Sequence, residues 1–356
     1  MLKFALVGCG RIAKRHSELL GLGQIDGATL VAACDLDLDK ARIIGDKFDV
    51  PVYADMDKMM SKEDIDVVVV LTESGYHAEH VVRLAEHGKH IVVEKPMALT
   101  LADADRMIEA CDRQQVRLFV VKQNRFNVPV QKLREALEAG RFGRLLMGTI
   151  RVRWCRRQEY YDQASWRGKW DMDGGVLTNQ ASHHVDLLEW MMGDVESVYA
   201  RSRTALANIE TEDTIVGTVA FSSGALGTIE ASTATRPVDL EGSLSILGEK
   251  GSVEIGGFAV NEVKVWRFED EDPDDEDVRT KYSVNPPNVY GFGHQAYYEH
   301  VVESLRENRP HLVDGRGGRR SVELISAFYE SAETGREVAM RFKPKHCRLS
   351  SRTQQQ

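Results

Sequence analysis

The stretch KFALVGCGRIA, residues 3–13, combines an apolar run with a glycine-rich turn. The run predicts a short strand, and residues 12–20 predict a helix directly after the turn. Gly8 allows the tight turn, Gly10 lets a phosphate approach the backbone, and Ala13 is small enough for helix and strand to meet. Such a helix N-terminus has free N–H groups that suit a pyrophosphate. The residues expected to contact a dinucleotide here are Gly8, Gly10, Arg11 and Ile12.

Strand and helix patterns continue to alternate as far as residue 122. The predicted strands cover residues 3–7, 29–34, 67–71, 90–93 and 117–121. The predicted helices cover residues 12–20, 38–48, 77–87 and 100–114. Val67–Leu71 is apolar on both faces, as expected for a strand covered on both sides. The alternation predicts a doubly wound parallel sheet, the Rossmann fold, over residues 1–122.

Asp35 ends the second predicted strand, about where this fold places the acid that binds the adenosine ribose. A carboxylate there accepts both ribose hydroxyls and repels a 2′-phosphate, and no arginine follows it to bind such a phosphate. The sequence therefore predicts NAD as the cofactor in preference to NADP. The alternative is a structural glycine turn without a ligand, which the order of strand, turn, helix and acid disfavours.

After residue 122 the pattern changes to successive strands with few helices. The predicted strands cover residues 145–155, 195–204, 214–221, 225–232, 242–247, 253–255 and 262–267. The predicted helices cover residues 129–139, 176–192, 294–306 and 321–333. This pattern predicts an open, mainly antiparallel sheet with one covered face. We expect a second domain over residues 123–343 and a disordered tail over residues 344–356.

Composition and charge exclude several classes of protein. The chain has 356 residues, 46 basic and 55 acidic side chains, and a formal net charge of -9, which disfavours nucleic-acid binding. Its longest aliphatic run, Val67–Leu71, is far shorter than the roughly 20 residues that span a membrane. The five cysteines have no metal-ligand spacing and suggest reduced thiols in the cytoplasm. The acidic run Glu269–Asp277 predicts a solvated loop tip, with a metal or partner site as the alternative.

The sequence Glu94-Lys95-Pro96 directly follows the fourth predicted strand. Pro96 disfavours a helical conformation at Lys95. The lysine is then held at the carboxyl end of a parallel strand, where open α/β sheets bind ligands. We therefore expect Glu94 and Lys95 at the cofactor cleft, although composition alone would favour an exposed lysine.

A third motif follows the glycine pair Gly174-Gly175. Asn179, His183 and Asp186 have helical spacings of four and three residues and so share one predicted helix face. This face is either a solvated polar surface or part of a site. The glycine pair favours a site, because it lets a ligand approach the backbone closely.

These three motifs, in this order, resemble the glucose-fructose oxidoreductase, inositol dehydrogenase and rhizopine-catabolism (Gfo/Idh/MocA) family. The resemblance extends from Lys3 to Met340 and includes the closing segment Val313–Arg336. It implies a nucleotide-binding domain, then an open-faced sheet used for substrate binding and for contacts in a homo-oligomer, a dimer or tetramer. It also implies a cis peptide bond between Lys95 and Pro96.

The same resemblance implies roles for individual residues. In family members the lysine and the histidine of these motifs flank the substrate, and here they are Lys95 and His183. We favour His183 as the base and Lys95 as its electrostatic partner. The family usually has an acid four residues before the histidine, where this chain has Asn179. An amide cannot accept the substrate proton, but it can orient a hydroxyl.

A closer resemblance involves residues 123–127, 166–170 and 178–180, which look like bacterial UDP-N-acetyl-2-amino-2-deoxyglucuronate dehydrogenases of surface-polysaccharide (O-antigen) biosynthesis. It implies NAD-dependent oxidation of the 3′-hydroxyl of UDP-N-acetylglucosaminuronic acid to a 3-keto sugar. It also implies 2-oxoglutarate as a candidate acceptor that regenerates NAD. The expected catalytic residues are Lys95, His183 and Asn179. The expected substrate contacts are Asn124, Arg125, Arg157, Trp166, Arg167, Asn179 and His183.

Charge supports this substrate, which carries about three negative charges. A basic cluster suits phosphate and carboxylate groups, and it comprises Arg125, Arg151, Arg153, Arg156, Arg157, Arg167 and Lys169. For Arg151 and Arg153 the alternative is the solvent face of a strand. A dehydrogenase of a free polyol such as an inositol is the alternative enzyme. A non-catalytic NAD-binding regulator is disfavoured because the lysine and histidine motifs are intact.

Overall fold

The computed structural model describes residues 1–257, 259–270, 272–283 and 292–340. The N-terminal part is a parallel sheet, and its strands are β1 (Leu2–Val7), β2 (Ala28–Cys34), β3 (Val52–Tyr53), β4 (Val67–Val70), β5 (His90–Val93) and β6 (Leu118–Val120). Its helices are α1 (Ala13–Gly21), α2 (Leu38–Phe48), α3 (Met56–Lys62), α4 (His77–Ala85) and α5 (Leu101–Arg113). The strand order β3-β2-β1-β4-β5-β6, with parallel neighbours, confirms the predicted Rossmann fold.

Local sequence explains these elements well. The valines of β4 are all buried, because helices cover both faces of the sheet. Helices α2, α3 and α5 begin after Asp37, Asp55 and Thr100, whose side chains accept backbone N–H groups of the first turn. The two short elements β3 and α3 were not predicted.

The C-terminal part is built on a larger sheet. Its strands are β7 (Leu145–Arg153), β8 (Val195–Arg203), β9 (Thr214–Phe221), β10 (Leu226–Ser232), β11 (Glu241–Gly248), β12 (Gly251–Gly256), β13 (Glu262–Phe268) and β14 (Val338–Ala339). Its helices are α6 (Val128–Glu138), α7 (Gln158–Asp162), α8 (Ser182–Met192), α9 (Val278–Lys281), α10 (Gly293–Arg306) and α11 (Gly315–Thr334). In the order β13-β12-β11-β7-β10-β9-β8-β14, β7 and β10 are parallel and the other neighbours antiparallel. The prediction of a mainly antiparallel sheet is confirmed.

One face of this sheet is covered and the other is open. Ile215 and Phe221 of β9 are buried in one core cluster with Leu188 of α8 and Phe328 of α11. On the opposite face, Val216 is 53% exposed. Helix α10 packs against the N-terminal sheet instead, because its Tyr297 and Tyr298 are buried in the same core cluster as residues of β1.

Helix α8 begins later than predicted. The predicted helix over residues 176–192 starts only at Ser182, and the residues before it form a turn that also bonds to Glu212. The N–H of Val176 donates to the Glu212 carbonyl at 3.0 Å, and the N–H of Leu177 donates to its carboxylate at 2.9 Å. The prediction that Asn179 and His183 share a helix face is therefore wrong: Asn179 lies in the turn before α8.

The acidic run is less solvated than predicted. Arg141 donates to Asp275 at 2.8 and 2.6 Å and to Asp270 at 3.1 Å, and Trp266 Nε1 donates to Asp275 at 2.6 Å. The prediction of a purely solvated loop tip is wrong for Asp275, which ties this loop to the sheet.

Among the described helices, none is long and apolar enough to cross a bilayer. The predicted disordered tail, residues 344–356, lies outside the described residues, as does Cys347.

Candidate active site

A cavity of about 1550 Å³ lies between the carboxyl ends of the N-terminal strands and residues 154–183 of the C-terminal part. A typical small-molecule site has about 300–1,000 Å³, so this cavity has room for a dinucleotide and a second ligand. The predicted site residues that line it are Gly8, Gly10, Arg11, Ile12, Asp35, Glu94, Lys95, Arg157, Trp166, Arg167, Asn179 and His183.

The dinucleotide end of the cavity is made mainly by backbone. Gly8 has φ +95°, and a Cβ there would lie 2.7 Å from the Leu71 carbonyl carbon, so glycine is required. A Cβ at Gly10 would meet nothing within 4 Å, which leaves space for a ligand. Helix α1 begins at Ala13, its N-cap residue Ile12 makes no side-chain capping bond, and its first turn contains no acid. Its N–H groups therefore fit a pyrophosphate.

Asp35 fits the adenosine end of a bound NAD. It lines the cavity, and its Oδ2 accepts from the Cys9 N–H at 2.7 Å. This bond ties the end of β2 to the glycine turn. The carboxylate lies where it can accept the ribose hydroxyls.

Glu94 belongs to a buried hydrogen-bond network beneath the cavity. Its Oε2 accepts from the Lys95 N–H at 2.9 Å, and its Oε1 accepts from His16 Nε2 at 3.0 Å. His16 Nδ1 lies 2.6 Å from the Tyr298 hydroxyl. Burial opposes the charge of Glu94, but His16 and His294 outweigh it and hold the pKa of Glu94 well below its usual range. His16, Glu94 and His294 lie close enough to ligate a metal, but His16 already uses both ring nitrogens, so we interpret them as a hydrogen-bond network.

Lys95 lies where the two parts of the protein meet. Its Nζ donates to the backbone carbonyl of Asn179 at 2.9 Å. Burial lowers the pKa of Lys95, while the charges of Glu94 and Asp173 raise it, and the net shift is downward. The Lys95–Pro96 peptide is cis, as the family resemblance implies.

His183, on α8, is held in a neutral state. Burial and the positive charges of Lys95 and Lys122 hold the pKa of His183 well below its ordinary value. Its Nε2 lies 2.9 Å from the side-chain nitrogen of Gln123, and its Nδ1 has no partner among the described residues. A neutral imidazole can accept a proton on the ring nitrogen that does not already carry one, and the tautomer decides which nitrogen that is.

Arg125 lies behind the site instead of in it. Its guanidinium donates twice to Asp186, both at 2.8 Å, and lies 4.9 Å from the centre of the Trp190 ring. Burial opposes the charge of Asp186, but Arg125 and Lys122 outweigh it and hold the pKa of Asp186 well below its usual range. The structure thus places Arg125, a predicted substrate contact, outside the cavity lining and in an ion pair with Asp186. Asn124, which is 7% exposed, also lies outside the cavity lining.

The sugar end of the cavity carries two arginines without acidic partners. Among the described residues, no carboxylate lies within ion-pair distance of Arg157 or Arg167. Arg167 lies over the rings of Tyr160 (4.2 Å) and Trp166 (5.4 Å), and its Nε has no hydrogen-bond partner in the described part of the chain. The neighbouring Arg156 is instead neutralised by Asp239 at 3.0 Å.

Three other members of the predicted basic cluster lie outside this cavity. Arg153 pairs with Glu230 at 2.5 Å and with Glu241 at 2.9 Å on the open face of the sheet. Arg151 lies 3.8 Å from Glu241 on the same face, so the solvent-face alternative is correct for both arginines. Lys169 is exposed and does not line the cavity.

Comparison with known proteins identifies the family. A family model described as "Oxidoreductase family, NAD-binding Rossmann fold" matches residues 2–122. A second, "Oxidoreductase family, C-terminal alpha/beta domain", matches residues 134–340. The chain belongs to the Gfo/Idh/MocA family.

Solved members of the Gfo/Idh/MocA family include two close matches. The WlbA dehydrogenase from Bordetella pertussis, in complex with NADH and UDP-GlcNAcA, is 43% identical with a TM-score of 0.89, covering 96% of this chain and 98% of that one. The WlbA dehydrogenase from Chromobacterium violaceum, also in complex with NADH and UDP-GlcNAcA, is 43% identical with a TM-score of 0.89, covering 96% and 97%. Among curated proteins, the myo-inositol 2-dehydrogenase of Thermotoga maritima is 28% identical over 348 residues, covering 95% of this chain and 98% of the relative. This Gfo/Idh/MocA member is therefore an NAD-dependent oxidoreductase that acts on a CH–OH group of a sugar or polyol.

Among the cavity residues that the sequence did not predict, two lie beside the catalytic candidates. Gln123 contacts His183 and begins the segment 123–127, which was used only for the family resemblance. Asp173 is 2% exposed, lines the cavity and precedes the Gly174-Gly175 pair. Their contacts are with residues distant in sequence, and only the proximity of each to a predicted motif could have indicated them.

Proposed function

We propose that this protein oxidises the 3′-hydroxyl of UDP-N-acetylglucosaminuronic acid to a 3-keto sugar nucleotide, with NAD as the oxidant. The observation that carries the proposal is the pair of guanidinium groups, Arg157 and Arg167, without acidic partners in the cavity that also holds Lys95 and His183. A diphosphate and a uronate supply about three negative charges. Arginine binds both groups through paired N–H donors. The ligand of the two WlbA relatives supports the same assignment.

The chemistry requires a base, a charged partner and an acceptor. NAD, held at the glycine turn and Asp35, would supply the acceptor for the hydride that leaves C3′ with the electron pair of its C–H bond. His183 takes the hydroxyl proton as the C=O bond forms, because its imidazole is neutral. Lys95 stabilises the negative charge that develops on the oxygen. Asn179 orients the hydroxyl through its amide.

The remaining contacts follow from the lining of the cavity. We assign the diphosphate and carboxylate to Arg157 and Arg167, and an aromatic contact to Trp166. A product of this kind serves the synthesis of diacetamido uronic acids for surface polysaccharide. The exposed apolar side chains of the open sheet, such as Val216 and Leu226, support a homo-oligomer, a dimer or tetramer.

A substrate comparison tests the proposal. Purified protein and NAD are incubated with UDP-N-acetylglucosaminuronic acid, UDP-N-acetylglucosamine, free N-acetylglucosaminuronic acid or myo-inositol, each with and without 2-oxoglutarate. Reduced nicotinamide is followed at 340 nm and the keto product by mass. We expect turnover of the first compound, and weak or no turnover of the other three, because only the first has both nucleotide and carboxylate.

The same comparison tests the alternatives. Efficient turnover of inositol would contradict the proposal and favour the polyol dehydrogenase, to which the 28% identical Thermotoga relative points. NAD binding without turnover of any compound would favour the non-catalytic regulator.

A further inference from the structure

Asp173 is a buried carboxylate at the sugar end of the cavity. It is 2% exposed, and its Oδ2 accepts from the Gly168 N–H at 3.2 Å. Its Oδ1 accepts from the side-chain amide of Asn179. Both donors are neutral, so they do not cancel the charge of the carboxylate. A buried charge without compensation is unfavourable, and a nearby cation is therefore needed to balance it.

Asn179 joins this carboxylate to Lys95. Its side-chain amide donates to Asp173, while its backbone carbonyl accepts from Lys95 Nζ at 2.9 Å. The turn that precedes α8 thus holds the ammonium and the carboxylate on two sides of one residue. An amide and a carbonyl do not carry a proton between the two groups, so Asp173 acts on Lys95 by charge and position.

We propose that Asp173 is a positioning residue that, through Asn179, holds the Lys95 side chain in the cavity and sets its charge. This inference rests on the proposed role of Lys95 and does not depend on which sugar is oxidised. Asp173 itself makes no contact with the reacting hydroxyl in this scheme.

Among the charged groups near Lys95, Asp173 is the one best placed to set the charge of the lysine. The titratable groups that face Lys95 are Glu94, Asp173 and His183, and those that face Asp173 are Lys95 and Arg167. Glu94 is already bound by His16 at 3.0 Å, so its charge is shared with the network below the cavity. Asp173 is the carboxylate whose other hydrogen bonds come from uncharged groups.

The two pKa values are linked in a defined direction. Burial raises the pKa of Asp173 to about 6, and the Gly168 hydrogen bond and the charge of Lys95 oppose that rise. Above that pH the carboxylate is ionised and raises the pKa of Lys95. Removing the carboxylate therefore lowers the pKa of Lys95.

The experiment measures the proton affinity of Lys95 directly. The whole protein is labelled competitively with trace acetic anhydride between pH 6 and 11, and acetylation of the Lys95 peptide is read by mass spectrometry. In Asp173→Asn we expect the labelling midpoint to fall by about one pH unit. Asp171→Asn, an exposed acid two residues away, is the matched control and should leave the midpoint unchanged.

A charge-swap variant separates charge from shape. Asp173→Asn combined with Asn179→Asp moves the carboxylate along the same hydrogen bond, and we expect its midpoint to return to within a few tenths of a unit of the wild type. An unmoved midpoint in Asp173→Asn overturns the inference, and so does an unrestored midpoint in the swap. If Asp173→Asn fails to fold, Asp173→Ser and Asp173→Glu replace it. The first should lower the midpoint and the second should leave it within a few tenths of a unit of the wild type, and an unmoved midpoint in Asp173→Ser overturns the inference.

Kinetics then distinguish this inference from the proposed function. The pH profile of kcat/KM is measured with whichever substrate is turned over. In Asp173→Asn the inflection that reports the titration of Lys95 should shift to lower pH. The labelling result needs no substrate, so it stands even if UDP-N-acetylglucosaminuronic acid is not oxidised. Loss of activity with an unmoved profile and midpoint would leave Asp173 a structural role only.

Discussion

The two ends of the cavity are built in different ways. The dinucleotide end is built on backbone from one short stretch, Gly8 to Ile12, together with the Asp35 carboxylate. The sugar end consists of side chains from separate segments, including Lys95, Arg167 and His183. A backbone site depends on local sequence order, whereas a side-chain site depends on how distant segments meet. The dinucleotide end therefore indicates the cofactor, which the whole family shares, and the sugar end determines which substrate binds.

The largest effect should come from Lys95, at the boundary between the two ends. Lys95→Met removes the charge beside the reacting oxygen, so turnover should fall at least about a thousandfold. NAD binding, followed by fluorescence titration with NADH, should stay within about twofold, because the backbone end is intact. Lys62→Met, at an exposed lysine of α3, is the control. Normal turnover of Lys95→Met would remove the catalytic assignment.

The cavity arginines should give the next largest effect. Arg157→Gln and Arg167→Gln each remove a charged donor, so kcat/KM for the sugar nucleotide should fall about ten- to a hundredfold, mainly through KM. Steady-state kinetics at 340 nm measure this, with Arg279→Gln, at an exposed position of α9, as the control. If both variants behave like the control, the anionic substrate does not bind at these arginines.

The dinucleotide end was the more predictable of the two for a physical reason. Its glycines are required by local geometry, since a Cβ at Gly8 would lie 2.7 Å from the Leu71 carbonyl carbon. The glycine turn, Asp35 and the order of strands and helices are all visible in sequence. Lys95 was placed correctly for the same reason, because it follows a buried parallel strand.

The sugar end depends on contacts that a local pattern does not contain. The helical spacing before His183 was misleading, because residues 176–180 form a turn whose start is bonded to Glu212, 35 residues after Leu177. Arg125 was assigned to the substrate, yet its partner is Asp186, 61 residues away. Helix α11 begins at Gly315, whereas the sequence predicted a start near Ser321. The glycines in its first turn disfavour a helix, so the sequence pattern did not indicate this part of it. A Cβ at Gly318 would lie 2.6 Å from a Val120 methyl carbon, so tertiary packing selects that residue.

Asp35 provides a smaller test at the dinucleotide end. Asp35→Asn keeps an acceptor for the Cys9 N–H but removes the charge that repels a 2′-phosphate. The preference for NAD over NADP should therefore relax by about tenfold. The KM for the sugar should stay within about twofold, as measured with saturating cofactor. A changed sugar KM with an unchanged cofactor preference would contradict the division between the two ends.

The smallest effect should come from the arginines of the open sheet face. Arg153→Gln breaks partly exposed ion pairs with Glu230 and Glu241, which contribute up to about 1 kcal/mol of stability. Turnover of the sugar nucleotide should stay within about twofold, and thermal unfolding should show a small decrease in stability. A loss of kcat/KM comparable to that of Arg167→Gln would mean that this face also contributes to the substrate site.

The most direct test of the whole account is a crystal structure of this protein with NADH and UDP-N-acetylglucosaminuronic acid. We predict the pyrophosphate of the cofactor at Gly8–Ile12 and the anionic groups of the sugar nucleotide on Arg157 and Arg167. The 3′-hydroxyl should lie within hydrogen-bond distance of both Lys95 Nζ and His183. A sugar ring that presents another hydroxyl to these two residues, or anionic groups that bind away from both arginines, would contradict the account.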